Sequence, residues 1–315
     1  MNKVKSLALI AALALAGLTA AGFWLPRTPS ANPSPPADET PKPVRVFAGL
    51  PPLGHVVQRV GGRHVEVDVM LQGGQDPHTF EPTPRQVMDL SRACLFFKIG
   101  MPFEDRLAER ITSSHPRLKV IDATEGVEKR PADAACCAEA DHDHDHDHHA
   151  GQPDPHVWLS PLVLKVLAAN VAEALCVADP RHAAAYRENL AELNASLDAL
   201  HARITHRLAP YRGRTFFVFH PAFGYFADAY GLKQESVEME GKSPTPKQLR
   251  ELIQRARASH AKVIFLQPQF DHRSAEAVAR AIGGTILPMD SLAPDVERNL
   301  DDVSKELASA LATVQ

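Results

Sequence analysis

One helix-start pattern occurs twice in this chain, and no other feature constrains its fold as strongly. Pro82-Thr83-Pro84-Arg85-Gln86-Val87-Met88-Asp89-Leu90 is matched by Pro244-Thr245-Pro246-Lys247-Gln248-Leu249-Arg250-Glu251-Leu252. In each copy threonine stands where a helix is capped, proline takes the first helical position, and glutamine at the third can close a capping box. Each copy is followed by an apolar strand-like run, Cys94 to Ile99 and then Val263 to Leu266. The same helix-then-strand unit therefore occurs once in each half, which predicts two related lobes.

Short apolar or alternating runs also occur from Val44, Val65 to Leu71, Thr215 to Phe219 and Thr285 to Pro288, with helix-like stretches between several of them. Strands alternating with helices predict an α/β fold, each lobe holding a mainly parallel sheet flanked by helices. Between the lobes, Asp179-Pro180 opens a long helix. Tyr186, Leu190, Leu193, Leu197, Leu200, Ile204 and Leu208 follow at steps of four or three, one apolar stripe that ends before Gly213. The expected organisation is a first lobe over 44–178, a connecting helix over 179–211 and a second lobe over 212–315.

The segment ahead of the first lobe carries no core. Lys3 and Lys5 precede an apolar run from Leu7 to Leu18 and then small residues, which reads as an export signal over 1–22. An uncleaved anchor extending through Phe23-Trp24-Leu25 is the alternative. Residues 23–43 form a proline-rich linker. No cysteine precedes Cys94, so the expectation is a soluble periplasmic protein without a lipid-modified N-terminal cysteine. In an oxidising compartment Cys94, Cys136, Cys137 and Cys176 allow three disulfide pairings; the apolar settings of Cys94 and Cys176 equally suit buried free thiols.

A net charge of −4 gives no basis for a nucleic-acid partner, which needs a concentrated basic surface. Histidine is the compositional outlier, with 16 residues unevenly distributed. Three occupy related settings: His78 in Asp76-Pro77-His78-Thr79-Phe80-Glu81, His156 in Asp154-Pro155-His156-Val157-Trp158, and His220 in Phe219-His220-Pro221. Proline fixes its own backbone and biases its predecessor toward extended geometry, so such loops aim an imidazole before a ligand arrives. Asp76 and Asp154 are placed to accept a hydrogen bond from a ring N–H and set its tautomer. His55, His64, His115, His182, His201, His206, His260 and His272 lack that context and read as ordinary surface or partly buried residues.

With these motifs the chain resembles the zinc- and manganese-binding solute receptors of bacterial ABC transporters, specifically their ZnuA-like zinc group. The resemblance runs from Val44 to Val314 through Asp-Pro-His-Thr-Phe-Glu-Pro-Thr-Pro, Asp-Pro-His-Val-Trp-Leu-Ser-Pro and Ser243-Pro244-Thr245-Pro246-Lys247-Gln248-Leu249. It implies one metal ion in the cleft between two lobes, held by His78 and His156 from the first and His220 from the second. It also implies handover to an inner-membrane ABC permease and its ATPase by a monomeric receptor.

By the same resemblance the fourth ligand is Asp290. The internal repeat offers Glu240, which precedes Thr245 as His78 precedes Thr83, and water is a further alternative. Three imidazoles and a carboxylate suit Zn2+, whereas Mn2+ favours more oxygen donors. The manganese receptors carry a carboxylate where this chain has His220, so manganese is the second reading. An Asp/His tract over 141–149, within an expected loop over 133–152, adds His142, His144, His146, His148 and His149 as auxiliary metal-binding residues. A zinc hydrolase would need an open coordination position and a base nearby, and the chain contains neither His-Glu-x-x-His nor Gly-x-Ser-x-Gly. The sequence therefore predicts a carrier rather than an enzyme.

Overall fold

The computed structural model describes residues 42–132, 153–238, 245–270 and 272–312. The expected signal, the linker as far as residue 41 and the Asp/His tract lie outside them, as do Glu240, Cys136 and Cys137.

Two four-stranded parallel sheets have the same topology. In the first, β1 (Val44–Ala48), β2 (Val65–Val69), β3 (Leu95–Lys98) and β4 (Lys119–Asp122) pair in the order β2-β1-β3-β4. In the second, β5 (Thr215–Val218), β6 (Lys233–Ser236), β7 (Val263–Leu266) and β8 (Thr285–Pro288) pair in the order β6-β5-β7-β8. Register runs Val46↔Leu95 and Leu95↔Lys119 in the first, Phe217↔Ile264 and Val263↔Thr285 in the second.

The repeated motif explains this equivalence. It opens α2 (Pro84–Leu90) and α7 (Pro246–Ala258), the helices that carry the chain from the second strand of each sheet to the third. Both make the full capping box: Thr83 and Thr245 accept from the backbone of Gln86 and Gln248, whose side chains accept from the threonine backbone in return. Strands β4 and β6 were not foreseen. Each is an edge strand, and Lys119 and Lys233 leave them without the apolar run that marks a central strand.

Four more helices build the interior. They are α1 (Pro51–Gly61), α4 (Pro161–Ala178), α5 (Ala183–Leu208) and α9 (Val296–Ala312); α3 (Pro102–Ser114), α6 (Gly224–Tyr230) and α8 (His272–Ile282) complete the α-helices of the described residues. The expected connecting helix is α5, preceded by a 3-10 turn over Pro180–His182 and followed by another over Ala209–Tyr211. Tyr186, Leu193, Leu197, Leu200, Ile204 and Leu208 are buried, against α1 and α4 of the first lobe and α9 of the second. One apolar core therefore continues through both lobes, from Phe96 and Leu164 through Leu197 to Phe223 and Leu300. A second cluster around Phe217, Ile264 and Val278 lies within the second lobe.

A polar hub reinforces the join. The Glu297 carboxylate, in the first turn of α9, accepts from His55 Nε2 (3.1 Å) and from Arg59, both on α1, and from Ser196 Oγ (2.5 Å) on α5. These contacts outweigh its burial and hold the carboxyl down at about 2.

Cys94 corrects one expectation. Its backbone belongs to the sheet, donating to Arg45 O at 2.9 Å, but strand alternation buries Leu95 and turns Cys94 outward, so the thiol is exposed. Cys176 is half-buried; both are free thiols.

Candidate metal centre

In parallel α/β sheets, ligands collect at the carboxyl ends of the strands, and most of the candidate residues lie there. His78 follows β2, and His220 follows β5. Glu238 follows β6, Gln267 and Gln269 follow β7, and Asp290 follows β8. His156 enters differently, just ahead of a 3-10 turn (Val157–Leu159) that leads into α4.

Each imidazole is held by its own scaffold. Asp154 Oδ1 accepts both the His156 backbone N–H (2.9 Å) and the ring Nδ1–H (2.8 Å). The opposite carboxylate oxygen accepts from Arg130 Nη1 at 2.9 Å. Burial works against the Asp154 charge, yet the His156 and Arg130 hydrogen bonds prevail and keep its pKa below the ordinary carboxylate value.

His220 is gripped by the fully buried Gln267, whose Oε1 accepts the His220 N–H (3.0 Å) and whose Nε2 donates to the His220 carbonyl (2.6 Å). Its ring stacks on Phe270, and its Nδ1–H donates to Glu238 Oε1 at 2.5 Å. His78 is held through its backbone: Asp76 accepts its N–H (2.9 Å) and the Thr79 hydroxyl (3.1 Å). Asp154 thus fixes a ring as expected, whereas Asp76 shapes a loop.

These scaffolds point three Nε2 atoms at one another. His220 Nε2 lies 3.1 Å from His78 Nε2 and 3.1 Å from His156 Nε2. Among the described residues this is the group of histidine, cysteine and acidic side chains whose ligand atoms converge, all within 4.8 Å. Because His156 and His220 each donate through Nδ1, their neutral forms aim the Nε2 lone pairs at one another, an arrangement that a shared cation favours. Nitrogens about 2.0–2.1 Å from a tetrahedral ion sit about 3.3 Å apart, close to the two spacings of 3.1 Å from His220.

Electrostatics favours the neutral form of two of the rings. His78 is an exposed residue, but its ring is turned in against the other two imidazoles, and loss of water around the ring, followed by the His220 and His156 imidazoles, lowers its pKa. Burial likewise lowers that of His220, against the opposing pull of Glu238. Neutral imidazole is the form that binds a metal ion.

The surrounding pocket is lined by Pro77, Trp158, Gln269, Phe270, Ser291 and Leu292 together with the three rings. Trp158 spans the two lobes, its Nε1–H donating to Ser291 O at 2.6 Å. Asp290 is not in the converging group. Its Oδ1 accepts from Gln269 Nε2 (3.0 Å) and the Leu292 N–H (2.9 Å), one residue behind the lining. Gln269 Oε1 is buried with no hydrogen-bond partner among the described residues.

Sequence reasoning did not single out Glu238, Gln267, Gln269 or Arg130. The first three share the strand-end positions of the known candidates, the only signal that could have marked them. Of the histidines set aside as ordinary, His55 joins the Glu297 hub, while His64 and His182 stack with ring centroids 3.9 Å apart.

A family model described as the periplasmic zinc-uptake complex component A, ZnuA, matches residues 46–313. The chain is 29% identical over 262 residues to a high-affinity zinc uptake system protein ZnuA of Paracoccus denitrificans, covering 76% of this chain and 80% of that one. It is 27% identical over 235 residues to the manganese ABC transporter substrate-binding lipoprotein PsaA of Streptococcus pneumoniae, covering 72% and 73%. A crystal structure of ZnuA superposes with a TM-score of 0.77 at 32% identity, over 86% of this chain and 100% of that one.

Proposed function

The chain belongs to the ZnuA family of metal-binding ABC-transporter receptors, and on that premise we propose that it captures zinc outside the cytoplasmic membrane. Family members are substrate-binding components rather than enzymes, so the zinc-hydrolase alternative is set aside. Delivery goes to an inner-membrane permease driven by its ATPase, from a periplasmic monomer.

The observation that carries this reading is the convergence of three Nε2 atoms, those of His78 and His156 each 3.1 Å from that of His220. Three imidazole nitrogens aimed at one point are the donor set of a bound cation. His78, His156 and His220 are the proposed ligands. Asp290 is the proposed fourth, supported by its link through Gln269 to the pocket wall; Glu240 and water are the other candidates.

Nitrogen donors favour zinc over manganese, the metal in the name of the PsaA relative. The residues themselves work by pre-aiming: the carboxylates of Asp154 and Glu238 fix tautomers, so little ordering remains when the ion arrives. His142, His144, His146, His148 and His149 serve as a weaker collecting tract. Deleting 141–149 should lower the number of zinc ions bound and leave the tight site intact, and loss of the tight site would overturn this role.

The test is a competition titration of the purified protein with Zn2+ and Mn2+. The expected result is one tight zinc ion that Mn2+ does not displace, and a His220→Glu variant shifted toward Mn2+. Tighter binding of Mn2+ by the wild-type chain overturns the zinc assignment.

A further inference from the structure

We propose that Arg130 is a positioning residue that ties the His156 imidazole to the second lobe and thereby slows release of the ion. The inference rests on the reading of His156 as a ligand.

Arg130 stands in the first lobe, beside the isolated bridge between Pro131 and Pro153, so its backbone and that of Asp154 run together. Its guanidinium faces two ways. Nη1 donates to Asp154 Oδ2 at 2.9 Å, and Asp154 in turn holds both the backbone and the ring of His156. Nε donates to Asp228 Oδ2, also at 2.9 Å, on α6 (Gly224–Tyr230) of the second lobe.

A second strand of contacts runs alongside. The Arg130 N–H donates to the Tyr225 hydroxyl, which donates to the Asp154 carbonyl, each at 3.1 Å, and Tyr225 also lies on α6. His156 therefore reaches the second lobe through a continuous set of hydrogen bonds distinct from the three converging rings.

The seat for the guanidinium is shaped by the chain. A Cβ at Gly224 would lie 1.7 Å from Arg130 Nη1, so a side chain at the first residue of α6 would expel it. Positive charge beside a helix N-terminus is unfavourable. The two carboxylates offset that cost, and a planar fork with donors on different edges can serve both at once, which a lysine ammonium cannot do in the same geometry. Removing the ion requires the His156 and His220 rings to part, and they belong to different lobes. The Arg130 bridge opposes that parting next to one of the two.

The experiment uses the full chain and its Arg130→Met, Arg130→Lys and Asp228→Asn variants. Zn2+ release to an excess of chelator is followed by stopped flow, and the visible spectrum of the Co2+ form reports ligand geometry. Asp228→Asn removes the charge of the second-lobe acceptor and leaves the first-lobe contacts and the Tyr225 link in place. It should release Zn2+ several-fold faster with the Co2+ spectrum of the wild type. Arg130→Met should release at least tenfold faster with a shifted Co2+ spectrum, because Asp154 loses its partner, and Arg130→Lys should remain fast.

Asp228→Asn is exposed enough to keep the fold should Arg130→Met unfold, so it carries the test alone in that case. Wild-type release rates in Asp228→Asn, or in a folded Arg130→Met, overturn the proposal. A wild-type chain that gives no Co2+ spectrum of nitrogen ligation overturns the reading of the site instead.

Discussion

Replacing Glu297 with glutamine tests whether a single carboxylate fastens the two lobes. The side chain is 13% exposed and accepts from His55, Arg59 and Ser196, drawn from two helices other than its own. Its ordinary pKa of 4.5 falls to about 2 in the fold. A depressed carboxyl pKa stabilises the native state above the unfolded value, and the contribution disappears as pH falls through the folded value. A shift from 4.5 to about 2 is worth roughly 3 kcal/mol at pH 7. From the same two values, the contribution is nearly complete at pH 4.5, about half gone by pH 3 and negligible below pH 2.

Glu297→Gln keeps the shape and removes the charge. Urea unfolding of wild type and variant without metal, at a series of pH values, should show a difference on the order of 3 kcal/mol above pH 5 that closes on acidification. A difference below about 0.5 kcal/mol at pH 7, or one that does not change with pH, would refute the reasoning.

Four further substitutions probe the site and its supports. Glu238→Gln should weaken zinc binding about 10- to 100-fold by titration, since the His220 tautomer loses its partner, while Gln267 still holds the His220 backbone. Gln267→Leu strands the buried His220 N–H, whereas the His220 carbonyl keeps the Ala222 N–H, and should cost about 1–3 kcal/mol in urea unfolding. Thr83→Ala and Thr245→Ala should each cost about 1 kcal/mol in thermal unfolding, because both threonines close the same capping box.

Much of this architecture is legible in the chain because short-range chemistry specifies it. The Thr-Pro-x-Gln helix starts are local, so Thr83 and Thr245 cap as their sequence suggests. The apolar step along α5 has a period that only a helix satisfies, and its buried residues are those the stripe picked out. Strands β4 and β6 escaped because their own residues, Lys-Val-Ile-Asp and Lys-Gln-Glu-Ser, carry too short an apolar run or none, whereas the edge strands β2 and β8 do show a pattern.

The site divides along the same line. His78, His156 and His220 announce themselves through proline-framed loops, and the fold brings their Nε2 atoms together. Glu238 lies 18 residues from His220 and Arg130 lies 98 from Asp228, separations across which sequence spacing carries no signal. Asp290 is the residue for which sequence and geometry agree least: its strand-end position fits, but its carboxylate is engaged by Gln269 and Leu292.

The central claim is that His78, His156 and His220 jointly hold one zinc ion. X-ray absorption at the zinc edge of the chain loaded with a single equivalent tests it directly. The account predicts a first shell with three imidazole nitrogens at about 2.0–2.1 Å and one oxygen, reduced by one imidazole in each His→Ala variant. A shell containing sulfur, or one that all three variants leave unchanged, would contradict it.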